Sequence, residues 1–90
     1  MLESKVKIIN PLGLHARAAA QLVRLASSFQ SEVKLFRTDN NVIADAKSIL
    51  SVLTLAASKG TELELKVKGN DEQKAFQSIC DIFASGFGEI

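Results

Sequence analysis

Lys5 to Asn10 reads KVKIIN, with Val6 and Ile8 on one side of the chain and Lys5 and Lys7 on the other. That period of two predicts a half-buried strand, ended by the NPLG that follows. From Ala16 to Phe29 the apolar positions Ala19, Leu22, Val23, Ala26 and Phe29 recur at spacings of three and four, which predicts a helix with one buried side. Arg17, Gln21, Arg24 and Ser28 fall on another side, in line with His15. EVKLFR and NVIADA read as two further strands, joined by a hairpin turn at TDNN, whose residues tolerate left-handed backbone. Ser48 to Ser58 reads as a second helix, with Gly60 as its stop. In TELELKVKG, Leu63, Leu65 and Val67 alternate with Glu62, Glu64, Lys66 and Lys68, so one face of this strand meets water. The last helix is expected to begin near NDEQ, with Asn70 as N-cap and Gln73 completing a capping box. Phe76, Ile79, Cys80, Phe83 and Phe87 would form its buried side.

The order β-α-β-β-α-β-α, with alternating strands and one-sided helices, predicts an α+β fold: a mostly antiparallel sheet covered by helices on one face. Ninety residues make one domain, 1–90, without linker or repeat. A chain this short buries only roughly 60% of its unfolded surface, so its apolar residues go into packing and an enclosed cavity is not expected.

Charge narrows the function classes. Eleven Lys and Arg against ten Asp and Glu give a net charge of +1, and the chain has no Trp, no Tyr and no basic run. Nucleic-acid binding would call for a positive stripe or stacking aromatics. One cysteine forms no internal disulfide, which fits a reducing compartment. Met1 to Ile9 lacks the unbroken apolar run of a signal peptide or membrane span, so no membrane insertion and a cytoplasmic location are expected.

The single histidine stands where the NPLG loop gives way to the first helix. With the helix starting at Ala16, His15 is its N-cap, and the N–H groups of Ala16, Arg17 and Ala18 have no partners within the helix. Such a terminus carries about half a positive charge; it attracts anions and disfavours an imidazolium beside it. Arg17 adds a full positive charge. A neutral imidazole next to a ready phosphate cradle suits a nucleophile for phosphoryl groups. Histidine is also a poor N-cap by residue type, since Ser, Thr, Asp or Asn is preferred. The plainer reading is an exposed loop histidine that merely precedes a helix. A metal site is not expected, because one His and one distant Cys lack accompanying carboxylates at ligand spacing.

The second helix carries more apolar residues than one buried stripe needs. Val52, Leu55 and Ala56 suit the core. Leu50 and Leu53, with Ile49 at the edge, are left either as an exposed patch or as part of a deeply buried helix. Ser48 suits the N-cap. Cys80 reads as inert packing. Asp39, Asp45, Glu62 and Glu64 read as solvated turn and strand residues.

GLHARAAAQLV resembles the active-site motif of the HPr family, the histidine phosphocarriers of the phosphoenolpyruvate:sugar phosphotransferase system. The likeness continues through AKSILSVLTLAASKGTEL and GNDEQKAF and covers nearly the whole chain. It implies an open-faced β-sandwich, a four-stranded antiparallel sheet with three helices on one face. It further implies that His15 takes a phosphoryl group on Nδ1 from Enzyme I and passes it to an EIIA domain, with Arg17 and the amides of Ala16, Arg17 and Ala18 steadying the phosphate. By the same resemblance Ile49, Leu50 and Leu53 contact partners, with Arg17, Gln21 and Arg24 as a polar rim. Ser48 in AKSIL matches the serine that HPr kinase/phosphorylase modifies in some members. The resemblance implies a stoichiometric carrier without a cofactor, and a monomer is expected. One departure is clear: the family usually reads HxRPA, whereas this chain has HARAA, with Ala18 in place of proline. IFASGFGEI resembles the end of the nitrogen-related branch, NPr, so sugar transport, a nitrogen-related role and a purely regulatory paralogue all stay open. The β-α-β-β-α-β order also fits a ferredoxin-like domain. The absence of C-x-x-C and of strand aromatics argues against its metal-carrying and RNA-binding versions.

Overall fold

The alternation of the strands builds a sheet with one dry face and one wet one. In the computed structural model, which describes residues 1–89, β1 is Leu2–Lys7, β2 Glu32–Arg37, β3 Val42–Asp45 and β4 Glu62–Lys68. They form one antiparallel sheet in the order β1-β4-β2-β3. Register places Val6 opposite Leu63, Leu65 opposite Leu35, and Leu35 opposite Ala44. This row of apolar side chains is the floor of the core. On the other face Lys66 lies over the Phe36 ring at 4.7 Å and pairs with Glu3 and Glu64.

The helices α1 (Ala16–Ser27), α2 (Ile49–Leu53) and α3 (Glu72–Ala84) cover the dry face, and a single 3-10 turn follows at Gly86–Gly88. Leu22 from α1, Val52 and Leu55 from the α2 region, and Ile79 and Phe83 from α3 meet Val33, Leu35, Leu63, Leu65 and Val67 of the sheet. Each such leucine or valine stabilises the fold by about 1.5–3 kcal/mol relative to an exposed one. The four-stranded antiparallel sheet with three helices on one face is the architecture that the resemblance implies and that the chain pattern predicts in outline.

Three expectations need correction. The second helix is not Ser48 to Ser58: it ends at Leu53. Beyond it the bonds tighten to Leu55 N–H to Val52 O (3.1 Å) and Ala56 N–H to Leu53 O (3.1 Å), and Ala56 turns left-handed at φ 48°. The carbonyls of Leu55 and Ala56 are taken by the Arg37 guanidinium at 2.8 and 3.0 Å. Ala56 is accordingly exposed, and Ala57 takes the core position. Gly60 is no helix stop; its N–H donates to Ile8 O at 2.7 Å and extends the β1–β4 pairing. The third correction concerns α3, whose N-cap is Asp71 rather than Asn70, and Gln73 forms no capping box. Instead Gly69 N–H donates to Glu72 Oε1 at 3.1 Å. Phe29, at the end of the first predicted helix, lies just beyond α1 and is half-buried.

Candidate functional site

The loop that presents the histidine is held by its own turn chemistry. Gly13 N–H donates to Asn10 O at 3.1 Å, closing a turn with Pro11 at its first central position, where the ring's fixed φ fits. The fully buried Asn10 adds a second tie from Nδ2 to Gly13 O at 2.7 Å. Leu14 inserts into the core while its N–H donates to Ala57 O at 2.8 Å. At Gly13, φ is +69°, and a Cβ would come within 2.7 Å of Ala57 O, so this position needs glycine for both conformation and space. The loop thus lies flat on the backbone that leaves α2.

His15 follows as the N-cap of α1 in extended conformation, and its side chain makes no cap hydrogen bond. Its carbonyl accepts the first helical bond, from Ala19 N–H at 2.8 Å. The amides of Ala16, Arg17 and Ala18 have no acceptor among the described residues, and no acidic side chain stands in the first turn. Arg17 and Arg24 are exposed, without ion pairs among the described residues, and Gln21 is half-buried. Ala18 is fully buried.

The helix α1 packs against α2, whose apolar residues divide in two. Val52 is buried, whereas Leu50 is 75% exposed, Ile49 39% and Leu53 38%. The exposed-patch reading of these three residues therefore fits and the fully buried alternative does not. Ser48 is the N-cap of α2, with Oγ accepting from Ser51 N–H at 3.4 Å. Asp45 N–H is satisfied by Ser51 Oγ and Lys47 N–H by Asp45 Oδ1, both at 2.9 Å. Burial pushes the half-buried Cys80 thiol up, with Asp81 adding to the shift, so its thiolate form is disfavoured. Among the described residues no cluster of three His, Cys, Asp or Glu side chains has the makings of a metal site, and no helix is long and apolar enough to cross a membrane.

Two residues at the site escape pattern reading. Glu89 Oε2 contacts His15 Nε2, and Glu89 Oε1 accepts from Asn10 Nδ2 at 3.2 Å. The Glu89 carboxyl is held below its ordinary value, first by the hydrogen bond to His15 and further by Asn10, by charge on the His15 ring and by the Leu12 amide, against an opposing cost of desolvation. A contact spanning 74 positions has no periodic signal. The only local hint is the pair of glycines around Phe87, which marks a chain reversal just before an acid.

The model of the family described as PTS HPr component phosphorylation site matches residues 2–85. A phosphocarrier protein HPr from Cupriavidus necator is 47% identical over 89 residues, covering 99% of this chain and 98% of that protein. A phosphocarrier protein NPr from Escherichia coli is 38% identical over 88 residues, covering 98% of this chain and 97% of that protein. Among solved structures, an HPr from Thermoanaerobacter tengcongensis superposes with a TM-score of 0.93 at 38% identity, covering 100% of this chain and 99% of the other.

Proposed function

The chain belongs to the HPr family of phosphocarriers of the phosphotransferase system, and from that premise we propose that His15 accepts a phosphoryl group from phosphorylated Enzyme I and passes it to an EIIA-type protein. The observation that carries this reading is the start of α1: a histidine N-cap, with three amides that have no acceptor and an Arg17 that has no ion pair among the described residues. Nδ1 attacks phosphorus, the bond to the donor breaks, and its electron pair stays with the donor. The open amides of Ala16, Arg17 and Ala18, together with Arg17, take up negative charge on the phosphoryl oxygens. A phosphoryl group on imidazole is easily passed on, which suits a cytoplasmic monomeric carrier that is consumed and renewed in each cycle.

Partners dock on Ile49, Leu50 and Leu53, rimmed by Arg17, Gln21 and Arg24. Positive charge at that rim speeds encounter with acidic surfaces more than it strengthens binding. Leu50→Asp therefore lowers transfer to and from partners while leaving the melting temperature unchanged, because Leu50 is largely in solvent. Ser48 is the point where HPr kinase/phosphorylase would act, since a phosphate of charge about −2 there lies beside the apolar patch and repels an acidic partner. Incubation with that kinase, using Ser48→Ala as control, checks this; an unmodified wild type removes it.

The test of the main reading is intact mass after incubation with phosphoenolpyruvate and Enzyme I. One acid-labile, base-tolerant phosphoryl group on the wild type, absent from His15→Ala, is the expected result. No adduct from an Enzyme I proven active on another HPr would instead favour a regulatory paralogue acting by protein binding alone.

A further inference from the structure

We propose that Glu89 is a positioning residue for phosphoryl acceptance: its side-chain carboxylate, brought back to His15 by the turn at Phe87, holds the Nε2 proton and leaves Nδ1 as the nitrogen with the free lone pair. The inference rests on the reading of His15 as acceptor.

The chain is built to deliver this carboxylate. After α3 ends at Ala84, Gly86, Phe87 and Gly88 all have positive φ, at 61°, 55° and 76°. A phenylalanine in that region is strained and persists only where its surroundings hold it. Here the ring is buried and stands edge-on to Phe83, with centroids 5.2 Å apart, so the reversal is pinned to the core. Glu89 N–H then donates to Gly86 O at 3.0 Å. One carboxylate oxygen is tied by the amide of buried Asn10, which leaves the other to meet His15 Nε2.

An ionised carboxylate only accepts hydrogen bonds, so the ring nitrogen that it meets must carry the proton. In a neutral ring the lone pair is then on Nδ1. When Nδ1 forms the bond to phosphorus and the donor leaves with its electron pair, the ring keeps the Nε2 proton and becomes cationic. Glu89 is already in place as its counter-ion. When the Nδ1–P bond breaks toward an acceptor, the electron pair returns to Nδ1 and the ring is neutral again, with no proton exchanged with water.

The test compares wild type, Glu89→Gln and Glu89→Ala by 15N NMR of the labelled imidazole in alkaline buffer, and by phosphoryl-transfer kinetics from Enzyme I. Wild type should show a protonated Nε2 and an unprotonated Nδ1. In Glu89→Ala the two shifts should move toward each other as both tautomers populate, with transfer slowed about 10- to 100-fold, the worth of one hydrogen bond to a charged group. Glu89→Gln keeps an acceptor oxygen without the charge and should retain the tautomer while losing part of the rate; amide spectra of both variants check that the fold is intact. Unchanged tautomer and rate in Glu89→Ala would overturn the proposal, as would a slowed rate with an unchanged tautomer. The tautomer is read without any phosphoryl donor, so a wild type that takes no phosphoryl group would count against the carrier reading and not against this one.

Discussion

The two long helices begin in opposite ways. At α3 the chain supplies its own anions: Glu72 accepts from Gly69 N–H and pairs with the Met1 ammonium at 3.3 Å, while Asp71 reaches across to Gln30 N–H, Ser31 N–H and the Ser31 hydroxyl. At α1 no acid stands in the first turn and the first-turn charge is the positive one of Arg17, while at both helices the N-cap side chain makes no cap bond. Both helix starts attract negative charge through the same dipole and free donors. Where the chain sets its own carboxylates at the start, as at α3, the helix start is a joint; at α1 the one nearby carboxylate, Glu89, is held by His15 and Asn10, and the first-turn amides with Arg17 are left for an anion from outside.

Arg17→Glu is the most direct way to break this contrast, because it gives α1 the acidic first turn of α3. Phosphoryl acceptance should fall about 10²- to 10³-fold, the scale on which a donor aimed at developing charge acts. The melting temperature should hold or rise, since an acid in the first turn is worth roughly 0.3–1 kcal/mol. Transfer kinetics and a thermal melt on the same sample read both. Wild-type kinetics in this variant would mean that the open start of α1 is not where the phosphoryl group sits.

A smaller effect is expected at the other helix. Asp71→Asn should lower stability and leave transfer unchanged, because its carboxylate joins the start of α3 to the segment after α1 and lies outside the His15 loop. The Asp71 carboxyl is held below its ordinary value, first by the Ser31 hydroxyl and then by the Gln30 amide, against desolvation. A depressed folded value means that the carboxylate's contribution is fully present above the unfolded value of about 4 and is lost as pH falls through the folded one. The stability gap between wild type and Asp71→Asn should therefore be constant near neutrality and shrink in acid. Denaturant midpoints across that range measure it, and a gap independent of pH would show that the ionised carboxylate is not what joins the segments.

The same contrast explains what could be read from the residue order. β2 and β4, the buried side of α1 and the N-cap roles of His15 and Ser48 follow from local spacing and residue type; the alternation of β1 was legible but not its bounds, since it runs Leu2–Lys7 rather than from Lys5 to Asn10. The shortened α2 does not, because its end is set by Arg37 from β2 and by Leu14 from the histidine loop. Asn70 and Asp71 are equally good N-caps by residue type, and the turn at Gly69 and the Ser31 contact select Asp71. Of the site, His15 and Arg17 were legible as neighbours on one helix start. Glu89 was not, because it meets the histidine only once the chain has folded back on itself, and neither was Asn10, which bears on the site through Gly13 and Glu89; IFASGFGEI read as a branch marker, and its last residue, Ile90, lies outside the described residues.

The smallest effect is expected at Ala18. It occupies the third position of α1, and its N–H is among the first-turn donors that have no acceptor in the helix, so a proline here removes no helical hydrogen bond. Its fixed φ of about −65° also suits a first turn. Ala18→Pro should shift stability by less than about 1 kcal/mol. What it does remove is one of the three open amides. If the phosphoryl oxygens rest chiefly on Arg17 and the other two amides, the rate changes less than about tenfold, well short of the 10²- to 10³-fold cost of losing an essential donor. Abolished acceptance with an unchanged melting temperature would instead assign the decisive donor to Ala18 N–H. A gain from inactive to active would mean that alanine at this position leaves the first turn too loose to receive the phosphoryl group, and α1 would then differ from α3 in rigidity as well as in charge.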